Sequence, residues 1–167
     1  MTDERKAKLT LPGDDQILVT REFGAPRHLV YRAWTTPELV ARWWIAKRGS
    51  AVTMESDLRV GGRWRYVMET DGGQEVAFHG EYREVVPEER LVTTEVYEGA
   101  PLPPEELEAN ATINTVTFAE QGDRTLVTML TECPSPQVRE MIVASGMEDG
   151  LQDALDLLDE VAGGLEG

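Results

Sequence analysis

Apolar and polar residues along the first part of the chain predict one strand followed by two short helices. Residues 16–23 alternate and are rich in β-forming side chains, and Pro26 then suits the first turn of a helix. Apolar residues recur at spacings of three and four as far as Trp34, which gives this helix one apolar face. Thr36 is a candidate N-cap for a second short helix, with Pro37 in its first turn.

The middle of the chain predicts further antiparallel strands. The runs are 51–58, 63–70, 76–86, 90–98, 111–119 and 124–132. Turn residues such as Gly61-Gly62 separate them, so together with the first strand they predict a curved antiparallel sheet of seven strands. The proline-rich segment from Pro101 to Glu108 interrupts the strands and predicts an extended loop, with Pro104 opening a single helical turn.

The spacing of apolar residues in the C-terminal segment predicts a single long helix from about 135 to 162. Ser135 is a plausible N-cap and Gly163 a plausible end. One apolar stripe runs along it through Val143, Met147, Leu151, Ala154, Leu158 and Val161. Gly146 and Gly150 lie inside this span, where each costs roughly 0.5–1 kcal/mol relative to Ala, and we expect close packing rather than ligand space to offset that cost.

Composition sets the class of the protein. A chain of 167 residues suits one domain, which we assign to 15–163, with a flexible tail at 1–14 and a short one at 164–167. The net charge of −15 argues against nucleic-acid and anionic-membrane partners. Its N-terminus is too polar for a signal peptide and Cys133 is its only cysteine, so we expect a cytoplasmic protein without disulfides.

Several motifs, in order, resemble one known family. They are Arg21 to Pro26, Val30 to Thr35, Pro37 to Leu39, Arg42 to Trp44, Asp57 to Trp64, Gly80 to Tyr82, Val85 to Leu91 and Gly146 to Gly150. They resemble the family named for the C-terminal domain of the activator of the heat shock protein 90 ATPase, within the START-like, birch-pollen-allergen-like (SRPBCC) superfamily. The resemblance spans about 16–162.

That resemblance implies an α+β helix-grip fold, in which a curved sheet grips a long C-terminal helix. It also implies a hydrophobic small-molecule ligand, a possible chaperone partner and a possible homodimer. The family commonly has Trp where this chain has Leu151, and its usual connection is shorter than the segment from Pro101 to Glu108. Both departures lie near the expected cavity, so a relative's ligand does not carry over.

Strand alternation and the stripe of the last helix predict which side chains line that cavity. The set is Trp34, Trp43, Trp64, Tyr66, Met68, Phe78, Tyr82, Thr94, Val116, Phe118, Met147 and Leu151. These residues equally suit a filled core, because every domain of this size buries large aromatic side chains. The polar candidates inside are Tyr66, Tyr82, Thr94, Thr117 and Glu55.

Other chemistry has little support in the sequence. His28 and His79 have no second His or Cys at a metal-binding spacing, and Cys133 has no neighbouring base. The glycine pair at 61–62 joins two strands and opens no helix, so it is a turn rather than a phosphate loop. We therefore expect no metal, no cofactor and no catalytic residue.

Three functions of different classes stay open. The preferred one is non-catalytic binding of a hydrophobic small molecule, such as a lipid or polyketide. The second is a co-chaperone that stimulates a heat shock chaperone ATPase in the stress response. The third is an enzyme that acts on a hydrophobic metabolite with a Tyr and a Glu as acid and base.

Overall fold

The computed structural model describes residues 6–44, 49–99 and 103–165. Its strands are β1 (Lys8–Thr10), β2 (Gln16–Phe23), β3 (Gly49–Ser56), β4 (Arg63–Thr70), β5 (Glu75–Val86), β6 (Arg90–Tyr97), β7 (Thr112–Gln121) and β8 (Arg124–Glu132). Its helices are α1 (Arg27–Thr35), α2 (Pro37–Val40), α3 (Pro104–Ala109), α4 (Pro136–Ala144) and α5 (Met147–Gly163). The predicted α+β class is confirmed.

All the strands form one antiparallel sheet in the order β1-β2-β8-β7-β6-β5-β4-β3. The sheet has eight strands rather than the predicted seven. The extra strand, β1, comes from the segment that was expected to be a tail, and its Leu9 pairs with Val19 of β2. The amide of Ala7 also donates to the side chain of Gln152 at 3.1 Å, so residues 7–10 belong to the folded domain.

Residues 1–5 and 166–167 of the predicted tails lie outside the described residues, as does Pro101 of the predicted loop. The helical turn expected after that loop is confirmed as α3, which begins at Pro104. It contacts the outer side of the sheet at β6.

The two short helices follow the first long strand as predicted. Thr36 occupies the N-cap position of α2 but makes no side-chain cap hydrogen bond, so its predicted capping role is wrong. The chain continues beyond α2 in turns that carry Trp43, whose Nε1 donates to the carbonyl of Ala33 at 3.0 Å. This bond fixes the Trp43 ring against α1.

The C-terminal element is two helices rather than the single long helix predicted. Ser135 caps α4 as expected, accepting from the amide of Val138 at 3.2 Å. The chain breaks at Gly146, which has φ of 81° and sits at the N-cap of α5. Close packing does not explain this glycine, because a Cβ there would meet nothing within 4 Å. The left-handed backbone conformation of Gly146 explains the glycine, because residues with a Cβ adopt that conformation only at a cost in free energy.

Helix α5 lies on the sheet with its apolar face inward. Ala154, Leu155, Leu158, Val161 and Ala162 are the buried residues of this helix. They join one continuous core with residues of β2, β4, β7 and α1. Met147 and Leu151, in the first turns of α5, line the site described next.

Candidate functional site

A cavity of about 220 Å³ lies between α5 and the concave face of the sheet. The residues that line it are Ile17, Val19, Trp34, Trp43, Trp44, Trp64, Tyr66, Tyr82, Leu91, Thr93, Glu95, Asn114, Val116, Met129, Thr131, Met147, Leu151 and Leu155. Most of these side chains are apolar or aromatic. An apolar lining with a few polar groups is the usual form of a small-molecule site.

Most of the predicted lining residues do line the cavity. They are Trp34, Trp43, Trp64, Tyr66, Tyr82, Val116, Met147 and Leu151. Met68, Phe78, Thr94 and Phe118 are not among the lining residues. The aromatic walls of the space were therefore predictable from alternation along the strands and spacing along the helices.

Three of the predicted residues outside the lining pack into the surrounding core instead. Phe118 fills the space under α1, where its ring centroid lies 5.4 Å from that of Tyr31 and 5.7 Å from that of Trp34. Phe78 packs against its cross-strand partner Tyr97, at 5.3 Å between centroids. Met68 is fully buried. Met68 and Phe118 therefore belong to the packed core, and Phe78 is partly buried against it.

Thr94 was placed on the wrong face of β6. Its hydroxyl accepts from the amide of Glu81 at 2.9 Å, whereas its neighbours Thr93 and Glu95 line the cavity. The outer face of β6 carries Val92 and the buried Val96 beside Thr94, and α3 contacts this strand. Both faces of β6 therefore carry apolar residues, so alternation along this strand does not identify the inner face.

Glu95 is the functional candidate that the sequence analysis missed. Burial raises the pKa of its carboxyl, and a hydrogen bond from Asn114 opposes that rise. Asn114 is itself held by Thr131, whose hydroxyl donates to Asn114 Oδ1 at 2.8 Å. Within the cavity wall, these three residues form one polar group among apolar side chains.

Register explains how this polar group forms. Tyr82 pairs with Thr93, Thr93 with Asn114, and Asn114 with Thr131, so one row of side chains crosses four strands on the concave face. Glu95 lies two residues beyond Thr93 on the same face of β6. The sequence does contain a signal for Glu95. Leu91 pairs with the predicted wall residue Val116, and Thr93 and Glu95 lie on the same face of β6 as Leu91 because residues two apart along a strand share a face.

A second polar group lies at the Tyr82 side of the cavity. The Tyr82 hydroxyl is 2.6 Å from the hydroxyl of Ser56, and it also hydrogen-bonds Tyr66. Burial raises the pKa of both phenols, so both stay neutral at physiological pH. The other two polar candidates, Thr117 and Glu55, are not among the lining residues.

The aromatic walls form a connected set of rings. Trp44, which was not predicted, lies 5.7 Å from Trp43, 6.2 Å from Trp64 and 5.2 Å from Tyr66 between ring centroids. Trp34 and Trp43 continue the set at 5.3 Å. All four Trp residues of the chain therefore line the cavity.

Trp64 has a buried indole N–H with no hydrogen-bond partner in the described part of the chain. Its ring packs over Gly80, where a Cβ would lie 2.6 Å from Trp64 Nε1 and 1.8 Å from the carbonyl oxygen of Thr94. Gly80 therefore allows both the Trp64 ring and β6 to approach β5 closely.

The other His and Cys side chains considered in the sequence lie outside the cavity lining. Within residues 6–44, 49–99 and 103–165, no group of three or more His, Cys, Asp and Glu side chains is arranged to hold a metal ion. His28 is exposed on α1, and His79 lies on the outer face of the sheet between two carboxylates. Burial raises the pKa of the Cys133 thiol, with Asp15 adding to the rise, which disfavours the reactive thiolate.

Comparison with known proteins identifies the family. Residues 24–163 match the family described as "Activator of Hsp90 ATPase homolog 1-like protein". The chain belongs to this family. No curated protein gives a significant match.

Solved structures confirm the helix-grip fold. A crystal structure of a protein from Rhodobacter sphaeroides has a TM-score of 0.85 at 21% identity, over 96% of this chain and 99% of that one. A protein from Nitrosomonas europaea has a TM-score of 0.79 at 25% identity, over 90% of this chain and 96% of that one. One from Chromobacterium violaceum has a TM-score of 0.72 at 27% identity, over 90% of this chain and 98% of that one.

None of the helices in the described part of the chain combines the length and the apolar character needed to cross a membrane.

Proposed function

We propose that this member of the activator of Hsp90 ATPase homologue 1-like family binds a hydrophobic small molecule, without catalysis, in the cavity beneath α5. The observation that carries the proposal is a space of about 220 Å³ that is walled by aromatic side chains and has polar groups at two places. A fully packed core would leave no such volume, because protein interiors rarely contain voids larger than a water molecule.

The volume favours a compact ligand. An engineered cavity of about 150 Å³ holds benzene, and sites for drug-sized ligands occupy about 300–1,000 Å³. A space of about 220 Å³ therefore suits one aromatic ring with a short substituent better than a whole lipid or an extended polyketide. The absence of any cysteine besides the buried Cys133 fits action in a reducing cytoplasm.

The test is to fill the cavity. Leu151→Trp places a large ring in its wall, and we expect it to abolish the thermal stabilisation that compact aromatic compounds give the natural protein. Met141→Trp is the matched control, since Met141 lies on the neighbouring helix and is exposed. Undiminished binding to Leu151→Trp would contradict the proposal.

The two alternatives have different support. The co-chaperone alternative has only the description of the family, and stimulation of a purified Hsp90 ATPase that persists in Leu151→Trp would favour it. The enzyme alternative gains Glu95, an ionisable group in the cavity wall. Turnover of a bound compound that stops in Glu95→Gln would favour catalysis over simple binding.

A further inference from the structure

The charged lining of the cavity, as far as the structure describes it, is acidic only. Glu95 is its only acidic lining residue in the described part of the chain, and that part contributes no Lys, Arg or His to the lining. A carboxyl taken out of water stays ionised only where a cation or hydrogen-bond donors offset the loss of hydration, and otherwise its pKa rises, as it does for Glu95. No ion pair of Glu95 is present among the described residues.

Asn114 satisfies only some of the hydrogen-bond acceptor sites of the Glu95 carboxyl. Because Thr131 donates to Asn114 Oδ1 at 2.8 Å, the amide nitrogen of Asn114 is the group that donates to Glu95. A carboxylate has about four acceptor sites, so one amide donor leaves most of them unused. Glu95 is one of the residues that line the cavity, so a ligand there can supply the missing donors.

The walls suit a cation as well. Trp and Tyr rings attract ammonium groups through their electron-rich faces, and cages of aromatic residues recognise amines in this way. Here the indoles of Trp34, Trp43, Trp44 and Trp64 line the same cavity as Glu95. The net charge of −15 adds a long-range preference for cations over anions.

We propose, building on the binding function above, that the ligand is a compact apolar molecule with a protonated amine, whose ammonium group is bound by Glu95. Its apolar body lies among the Trp rings and the side chains of Met129, Met147 and Leu151. Compounds of the same shape that carry a carboxylate are excluded, because no described lining residue supplies a cation that would offset the loss of their hydration.

Three probes of nearly equal size separate charge from shape. They are 2-phenylethylamine, 2-phenylethanol and phenylacetate, which share a benzene ring and differ in the head group. We expect calorimetric titration at pH 7 to give the tightest binding for the amine, at least about tenfold weaker binding for the alcohol, and no measurable binding for phenylacetate.

Glu95→Gln keeps the size of the side chain and an oxygen that can accept from Asn114, but removes the charge. We expect it to weaken amine binding about tenfold or more and to change alcohol binding less than about threefold. Glu81→Gln is the control, because it removes the same charge from an exposed position on β5. It should leave all three probes unchanged.

The outcomes distinguish this inference from the proposed function. Equal binding of amine and alcohol, with no effect of Glu95→Gln on either, would overturn amine recognition and leave small-molecule binding standing. Preference for phenylacetate would also overturn it. If no probe binds the natural protein, amine recognition fails for compounds of this size, and the Leu151→Trp comparison with other ligands then decides the proposed function separately.

Discussion

The guanidinium of Arg21 lies 2.7 Å from the carboxylate of Asp156, joining β2 to α5 across 135 residues of sequence. Arg21 is buried, with 4% of its side chain exposed, and its second nitrogen lies 3.7 Å from Asp159. Its guanidinium carbon also stands 5.0 Å from the centre of the Phe23 ring. The position of α5 over the sheet, and with it the cavity, depends partly on this contact.

Removing both carboxylates while leaving Arg21 in place should destabilise the protein. The double variant Asp156→Asn with Asp159→Asn leaves a buried cation without its counter-charges, and we expect the free energy of unfolding to fall by about 3 kcal/mol. Urea denaturation measures this change. Glu160→Gln, at an exposed position of the same helix, should stay within about 0.5 kcal/mol of the natural protein. Equal effects of the two changes would show that the counter-charges of the buried Arg21 do not contribute to stability.

His79 predicts a pH-dependent contribution to stability. Its Nδ1 is 2.9 Å from Glu98 and its Nε2 is 2.6 Å from Glu108, so the imidazolium can donate to both carboxylates. Burial lowers the pKa of His79, but the hydrogen bonds to Glu108 and Glu98 outweigh it and raise the pKa above 6.5. The interactions with Arg65 and His79 in turn lower the pKa of Glu98 to about 2.

The sign follows from the raised pKa of His79. Its contribution is fully present below about pH 6.5, the unfolded value, and is lost as the pH rises through the folded value. The difference in unfolding free energy between the natural protein and His79→Gln should therefore be largest near pH 5.5 and vanish at high pH. We expect at most about 1 kcal/mol, since the site is partly open to solvent. A difference that grows with pH would refute this assignment.

We expect a larger side chain at position 80 to disturb the packing between β4, β5 and β6. In Gly80→Ala the new methyl group meets the Thr94 carbonyl and the Trp64 indole, which forces β5 and β6 apart. We expect a loss of about 2 kcal/mol or more in thermal or urea unfolding, together with a change in Trp fluorescence. Gly72→Ala is the control, because its Cβ meets nothing closer than 3.9 Å. Similar stability of the two variants would argue against close contact at Gly80.

A side chain at position 146 should lower stability through the backbone conformation and not through a steric clash. Gly146→Ala introduces no contact, yet it places an L-residue at φ of 81°, so we expect a loss of about 1 kcal/mol. Gly163→Ala, at the end of α5 and also free of contacts, should be neutral or slightly stabilising. If Gly146→Ala also proves neutral, α4 and α5 can join as one helix, as the sequence pattern suggests.

That last case shows where prediction from the sequence ends. Apolar spacing runs through Gly146 without a break, so periodicity alone gives one helix, and only the backbone angle at this residue divides it. The strands were predicted nearly to their ends because turn residues bound them. The short strand β1 was missed, since three residues are too few to show alternation.

The sequence also predicts some residues of the candidate site and misses others. Trp64 and Tyr66 were placed correctly, because β4 has a polar outer face and alternation is therefore informative. On β6 the outer face also carries apolar residues, among them the buried Val96, and the bulge between Tyr82 and Glu84 alters the pairing with β5. Glu95 is consequently not among the predicted lining residues. Its surroundings come from strands that are distant in sequence, which no local pattern reports.

The open sheet has a consequence for how the molecule meets copies of itself. Among the described strands, the two at the edges are β1, which is three residues long and carries Lys8, and β3, which is distorted between Ala51 and Thr53. Short, charged or bulged edges are poor templates for strand addition. We therefore expect the chain to resist fibril-like stacking through its borders, and any symmetrical pair to associate through helices or the outer face of the sheet instead.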